Sequence, residues 1–98
     1  MKLDNTKPLV SIIMNCHNGA KYLSNSIESI LRQNYVNWEL IFFDNMSTDE
    51  SLSIAKSFND KRIKVFSSKN FLNLYDARNN ALLHIKGNYV CFLDTDDL

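Results

Sequence analysis

Ninety-eight residues make one domain with one modest core, since a chain of this size buries only about 60–65% of the surface it exposes when unfolded. A composition that is 45% hydrophobic and 11% aromatic, with two glycines and one proline, excludes disordered, collagenous and low-complexity classes. Eleven basic and eleven acidic side chains cancel, so no broad electrostatic footprint on DNA or RNA is expected and nucleic acid is not a partner.

Residues 1–98 read as a single domain, with the polar segment 1–7 expected to be disordered. No apolar signal-peptide core follows the N-terminus, and no apolar run approaches the roughly 20 residues needed to span a bilayer. Cys16 and Cys91 fall in no CxxC or zinc spacing and are expected to be buried, reduced thiols of a cytosolic protein.

In chain order, the apolar run Leu9–Met14 reads as a first strand. Leu23, Ile27, Ile30 and Leu31 then repeat at helical spacing. Leu40–Phe43 is a second strand, and Ser47 with Glu50 three residues later is a capping-box signature before a helix carrying Leu52, Ala55 and Phe58. Ile63–Phe66 alternates more than the other runs, which places it at a sheet edge. Leu74, Ala77, Ala81, Leu82 and Ile85 form a third helical pattern, with Gly87 where a left-handed helix cap belongs. Tyr89–Leu93 is a fourth strand. Short continuous apolar runs suit strands covered on both faces, so the order predicts an α/β domain: a Rossmann-like parallel sheet of about four strands with three right-handed crossover helices.

Ligands of such sheets bind outside the carboxyl ends of the strands. Those ends carry Asn15, His17 and Asn18, then Asp44 and Asn45, then Ser67 and Ser68, then Asp94, Asp96 and Asp97. Three carboxylates within four residues repel one another unless something offsets their charge, and Mg²⁺ or Mn²⁺ does so with oxygen ligands and substrate phosphates. A solvated acidic turn explains them equally well. Asp44 and Asn45 end a buried strand and suit a base edge or a ribose hydroxyl. His17 reads either as an exposed loop histidine or as a ring that stacks on a ligand. Arg78 has the planar, permanently charged fork that phosphate favours, although a local surface pair is the plainer reading. His84 reads as a surface residue near a helix C-terminus, and Tyr35 and Trp38 as packing at the start of the second strand. GxGxxG and GxxxxGK[ST] are both absent, which disfavours a Rossmann dehydrogenase or a P-loop NTPase.

Taken together, PLVSIIMNCHNGAKYLSNSIESILRQNYVNWELIFFDNMSTDES, RIKVF and ARNNALLHIKGNYVCFLDTDD resemble the N-terminal half of a family 2 glycosyltransferase, an inverting enzyme of the GT-A fold. The resemblance runs from Pro8 to the end of the chain. His17 stands where the family usually has tyrosine, Asn45 where it has a second aspartate that often contacts uracil, and Met46 where it has glycine. The resemblance implies that Asn15, His17, Asn18, Asp44, Asn45, Arg78 and Asp94 bind a nucleoside diphosphate sugar, with a UDP-sugar favoured. It implies that Asp96, with Asp94 and Asp97, binds Mn²⁺ or Mg²⁺. The acceptor would be a glycan or a lipid-linked sugar, the catalytic base would lie downstream of Leu98, and the chain itself would be inactive. The parent would work in cell-surface polysaccharide synthesis, in the cytoplasm and peripherally at the inner face of the membrane. The competing expectation is a non-catalytic α/β module that forms a homodimer through exposed sheet edge and apolar surface.

Overall fold

The computed structural model describes residues 7–93. Residues 1–6, which include most of the segment expected to be disordered, and residues 94–98, which include Asp94, Asp96 and Asp97, lie outside the described residues. The elements run β1 (Val10–Cys16), α1 (Ala20–Leu31), β2 (Trp38–Asp44), α2 (Ser51–Ser57), β3 (Ile63–Ser67), α3 (Leu74–Leu82) and β4 (Tyr89–Phe92). The four strands form one parallel sheet in the order β3-β2-β1-β4. This is the expected Rossmann-like α/β architecture.

That order decides the faces. The chain steps from β1 outward to β3 and then returns across the sheet to β4. Right-handed crossovers therefore put α1 and α2 on one face and α3 on the other. Ile12, Met14, Leu40 and Phe42 meet Leu23, Ile27 and Ile30 of α1 and Ala55 of α2. Ile13, Ile41 and Phe43 meet Ala77 and Ala81 of α3. A 12-residue helix is marginal by itself in water. Three fully buried α1 side chains at about 1.5–3 kcal/mol each outweigh any single cap, so packing holds this helix.

β1 and β2 are buried on both faces, whereas β3 is half-buried at one edge, as its alternation predicts. β4 departs from the expectation of a covered strand. All four of its residues are exposed, because among the described residues it pairs only with β1 and α3 covers β1 and β2. Cys91 is accordingly an exposed thiol rather than a buried one, while Cys16 is buried and burial pushes its thiol pKa up.

Two local expectations are corrected. Gly87 is not in the left-handed region. Its role is close approach: a Cβ there would lie 2.4 Å from Ser11 Oγ and 2.8 Å from both Leu9 O and Ser11 N. The Ser47–Glu50 capping box does not form either. α2 starts at Ser51, Glu50 makes no side-chain cap bond, and Ser47 Oγ accepts from the Asn18 N–H at 2.9 Å. The left-handed positions are Asn18 (φ 55°) and Met46 (φ 56°). His84, expected as a plain surface residue, stacks on Phe66 with ring centroids 3.7 Å apart. Trp38 is buried under the Arg62 guanidinium 3.9 Å from its ring, and Tyr35 donates to the Pro8 carbonyl, so both pack the start of β2 as expected.

The underside of the sheet is pinned by one buried carboxylate. Glu39 Oε2 accepts from Ser11 Oγ at 2.6 Å and from the Lys86 N–H at 2.6 Å, and Lys64 Nζ donates to Oε1 at 2.8 Å. Ser11 Oγ in turn accepts from the Gly87 N–H at 2.9 Å. Burial raises the Glu39 pKa, but the bonds from Lys64, Ser11 and Lys86 outweigh it and the net shift is downward.

Two predictions follow from these contacts. A folded-state pKa below its unfolded value stabilises the fold above the ordinary carboxylate range, and that contribution is lost as pH falls through the folded value. Glu39→Gln should therefore lose about 1.5–3 kcal/mol at neutral pH and flatten the acid limb of stability against pH, read by urea denaturation at a series of pH values. Met46→Gly should gain about 0.5–1 kcal/mol. Relief of a left-handed residue is worth about 1–2 kcal/mol, the added chain entropy of glycine takes back part of it, and the exposed Met46 side chain forfeits little packing. Thermal melts of the two chains check this, and an unchanged or lower Tm would contradict it.

Candidate functional site

The direction in which strands are added reverses about β1, where β2 lies on one side and β4 on the other. The crevice outside the carboxyl ends of β1 and β4 is the switch point at which open α/β sheets bind ligands. Three loops meet beside it, at the carboxyl ends of β1 and β2: 17–19 after β1, 45–50 after β2 and 68–73 after β3.

The first two loops hold each other. α1 starts at Gly19, which has no side chain to cap it, and Glu50 does not cap α2. The unpaired N–H groups are met across the gap instead. The Gly19 N–H donates to Ser51 Oγ at 3.0 Å and the Ala20 N–H to Asp49 Oδ2 at 3.1 Å. In return Asn18 Oδ1 accepts from the Thr48 N–H at 2.7 Å and the Asp49 N–H at 3.2 Å. Asp49 Oδ1 also accepts from Ser51 Oγ at 2.6 Å, the main reason its carboxyl sits below the ordinary carboxylate range. Asn18 is thus committed to the second loop, a use that its left-handed backbone makes possible.

Beside this clasp is a cleft of about 190 Å³ lined by Asn15, Cys16, His17, Asn45, Phe71, Leu72, Leu74 and Ala77. It is smaller than the roughly 300–1,000 Å³ of a complete ligand site, so it is one compartment of a larger one. His17 Nδ1–H donates to the Asn45 carbonyl at 2.7 Å, and Asn18 Nδ2 approaches Nε2 at 3.4 Å, which fixes the proton of the neutral ring on Nδ1. The His17 ring meets Phe71 edge-on at 4.8 Å. Asn15 Oδ1 is buried in this region without a hydrogen-bond partner among the described residues.

Asp44 and Asn45 diverge because successive strand residues face opposite sides. Asn45 lines the cleft on the α3 side, and its amide bonds to the backbone of Leu72. Asp44 is buried toward α1 and α2 beside Cys16; its Oδ2 accepts from the Ser47 N–H at 3.2 Å, and its Oδ1 has no partner among the described residues. Arg78 is half-buried on α3, outside the cleft, with its guanidinium 5.0 Å from the Phe92 ring near the end of β4. The structure therefore brings Asn15, His17 and Asn45 together, turns Asn18 and Asp44 to the neighbouring loop, and sets Arg78 against β4.

Among the described residues no three His, Cys, Asp or Glu side chains converge as metal ligands. The acidic cluster Asp94, Asp96 and Asp97 follows Leu93, whose N–H donates to the Ile13 carbonyl at 2.9 Å, and lies outside the described residues. Sequence reasoning missed Phe71 and Leu72. The available signal was two consecutive apolar residues inside the polar stretch SSKNFLN. A larger depression of about 450 Å³, bordered by Phe66, Lys69, Asn80 and His84, takes in the β3 strand-end residues Ser67 and Ser68 but none of the seven residues that the resemblance assigns to the nucleotide sugar.

Comparison with known proteins places this geometry. The family model "Glycosyl transferase family 2" matches residues 11–98. The chain is 41% identical over 90 residues to WfgD of Escherichia coli, named a UDP-Glc:alpha-D-GlcNAc-diphosphoundecaprenol beta-1,3-glucosyltransferase; the match covers 92% of this chain and 36% of WfgD. Among solved structures it superposes on TarS of S. aureus in complex with UDP-GlcNAc (TM-score 0.82, 28% identity, 90% of this chain and 26% of TarS 1-349). It also superposes on the mannosyltransferase PcManGT of Pyrobaculum calidifontis in complex with GDP-Man and Mn²⁺ (TM-score 0.87, 26% identity, 94% of this chain and 28% of PcManGT). The chain thus spans about a third of the length of the curated relatives it matches. A family match from Ser11 onward, with the expected parallel α/β sheet beneath it, shows that the chain belongs to glycosyl transferase family 2.

Proposed function

We propose that this chain is the donor-nucleotide half of an inverting glycosyltransferase that takes a nucleoside diphosphate sugar. The observation that carries the reading is Asn15 Oδ1, a buried acceptor with no partner among the described residues, at the carboxyl end of β1 in a family 2 fold. Leaving such an atom unsatisfied costs about 1–3 kcal/mol, and an N–H of a bound base would remove that cost. The relatives' nucleotides support the class: UDP-Glc in the name of WfgD, UDP-GlcNAc on TarS, GDP-Man on PcManGT. A UDP-sugar is the favoured donor.

In this reading His17 presents its ring to the base, and Arg78 places its fixed charge toward the diphosphate. Asp44 and Asp94 serve the nucleoside, and Asn18 and Asn45 shape the loops around it. Asp94, Asp96 and Asp97 form an all-oxygen donor set that suits Mn²⁺ or Mg²⁺. Such an ion, when bound, offsets the charge of the leaving diphosphate. The reaction is a single displacement. An acceptor hydroxyl gives up its proton to a base and its oxygen bonds to the anomeric carbon. The bond from that carbon to the diphosphate breaks, and the nucleoside diphosphate departs with the electron pair. No described residue is assigned as that base, and the chain by itself is expected to be inactive. The acceptor is a glycan or a lipid-linked sugar, the kind of molecule in the name of WfgD. Action at the inner face of the membrane follows from such an acceptor; among the described residues no helix is long and apolar enough to cross a bilayer.

Calorimetric titration of the chain with UDP, GDP and dTDP, each with Mn²⁺ and then with EDTA, tests the reading. The expected result is metal-dependent binding, strongest for UDP and lost in Asp96→Ala. Binding that is unaffected by EDTA and by Asp96→Ala would sink the metal assignment. A second reading rests on Tyr89, Val90 and Phe92, exposed on a strand that pairs on one side only. In this reading the chain self-associates through that edge. Sedimentation velocity at several concentrations separates the two, because a monomer that does not change with concentration excludes the dimer.

A further inference from the structure

We infer that Asn45 is a positioning residue that latches the loop 68–73 over the base compartment, rather than a group that reads the base. The inference rests on the donor reading above. Asn45 is only 6% exposed, and its amide is used at both ends. Nδ2 donates to the Leu72 carbonyl at 2.6 Å, and Oδ1 accepts from the Leu72 N–H at 2.8 Å. Ser68 Oγ adds a longer bond to the same oxygen at 3.4 Å. Only one orientation of the amide satisfies a carbonyl and an N–H together, so the assignment of its oxygen and nitrogen is fixed by its partners.

The backbone of the same residue holds the opposite wall. The Asn45 N–H donates to the Cys16 carbonyl at 2.7 Å, and the Asn45 carbonyl accepts from His17 Nδ1–H at 2.7 Å. One residue therefore sets the distance between His17 and the loop that carries Phe71 and Leu72. The edge-on contact of Phe71 with His17 follows from that spacing.

This geometry also says why the residue is asparagine. An ionised aspartate accepts but cannot donate. It would keep the Leu72 N–H and set its second oxygen against the Leu72 carbonyl. The loop would be pushed off, and the compartment would open on the α3 side.

The test compares the wild-type chain with Asn45→Asp. Amide exchange is followed at Leu72, and the affinities for UDP, GDP and dTDP are measured with Mn²⁺ from pH 8 down to pH 5. The latch predicts that Leu72 exchange rises about tenfold while β2 amides stay protected, and that the three affinities fall together by about tenfold, the loss of roughly one hydrogen bond to the backbone. It also predicts that the ratio of wild-type to variant affinity shrinks as pH falls, because burial against the Leu72 carbonyl favours the neutral acid and the introduced carboxyl regains a proton that it can donate to Leu72. Direct reading of the base predicts the reverse: selectivity shifts toward UDP with Leu72 undisturbed, and the variant weakens on acidification. That result would overturn the inference. If the variant does not fold, exchange in the wild-type chain still decides, since a freely exchanging Leu72 amide ends the latch. A folded wild-type chain that binds none of the nucleotides sinks the donor reading, and the positioning role with it, whatever Leu72 does.

Discussion

Two helices begin side by side in this fold, and neither is capped by a side chain of its own N-cap residue. A helix start leaves backbone N–H groups without partners, and burying them unmet costs more than most single contacts return. The chain resolves this by exchange. Ser51 and Asp49 receive the N–H groups at the start of α1, and Asn18 receives those before α2. Once the two loops are tied, the crevice beside them has fixed walls and the position of His17 is set. Asn18 takes a left-handed backbone there because asparagine tolerates it better than most residues.

The site then divides by strand parity. Asp44 and Asn45 are neighbours in sequence, but one belongs to the α1–α2 side and the other to the α3 side. Among the described residues two buried acceptors, Asn15 Oδ1 and Asp44 Oδ1, are left without partners at the same end of the sheet. The opposite end carries the contrasting arrangement. Glu39 is as buried as Asp44, yet Ser11, Lys64 and the Lys86 N–H fully engage it. Polar groups at the amino end of the strands are satisfied and hold the fold together. At the carboxyl end most polar groups are tied between loops, and two buried acceptors are left unmet among the described residues, at the end where open α/β sheets bind ligands.

Much of the architecture was legible in the sequence. Four short apolar runs alternating with three helical patterns specify a parallel sheet, and the stronger alternation of Ile63–Phe66 marks an edge. Hydrophobic periodicity is a local property that survives without tertiary context, so these elements could be read directly. The capping box at Ser47 and the left-handed cap at Gly87 could not. Both are local motifs whose polar groups found better partners at long range: Ser47 bonds to Asn18, and the Gly87 N–H bonds to Ser11. Cys91 was misplaced for a related reason, since apolar neighbours predict a covered strand only if another element lies over it.

The sequence by itself determined the fold class, the strand ends that carry polar residues and the resemblance to family 2 glycosyltransferases, because periodicity and motif spacing are properties of the chain alone. Only the tertiary structure decided what each polar residue does. Asn18 and Asn45 have the same side chain and each follows a strand, yet one bridges two helix starts and the other grips Leu72. Hydrogen-bond partners thirty residues away make that difference, and they exist only once the crossovers have placed the three loops at one end of the sheet.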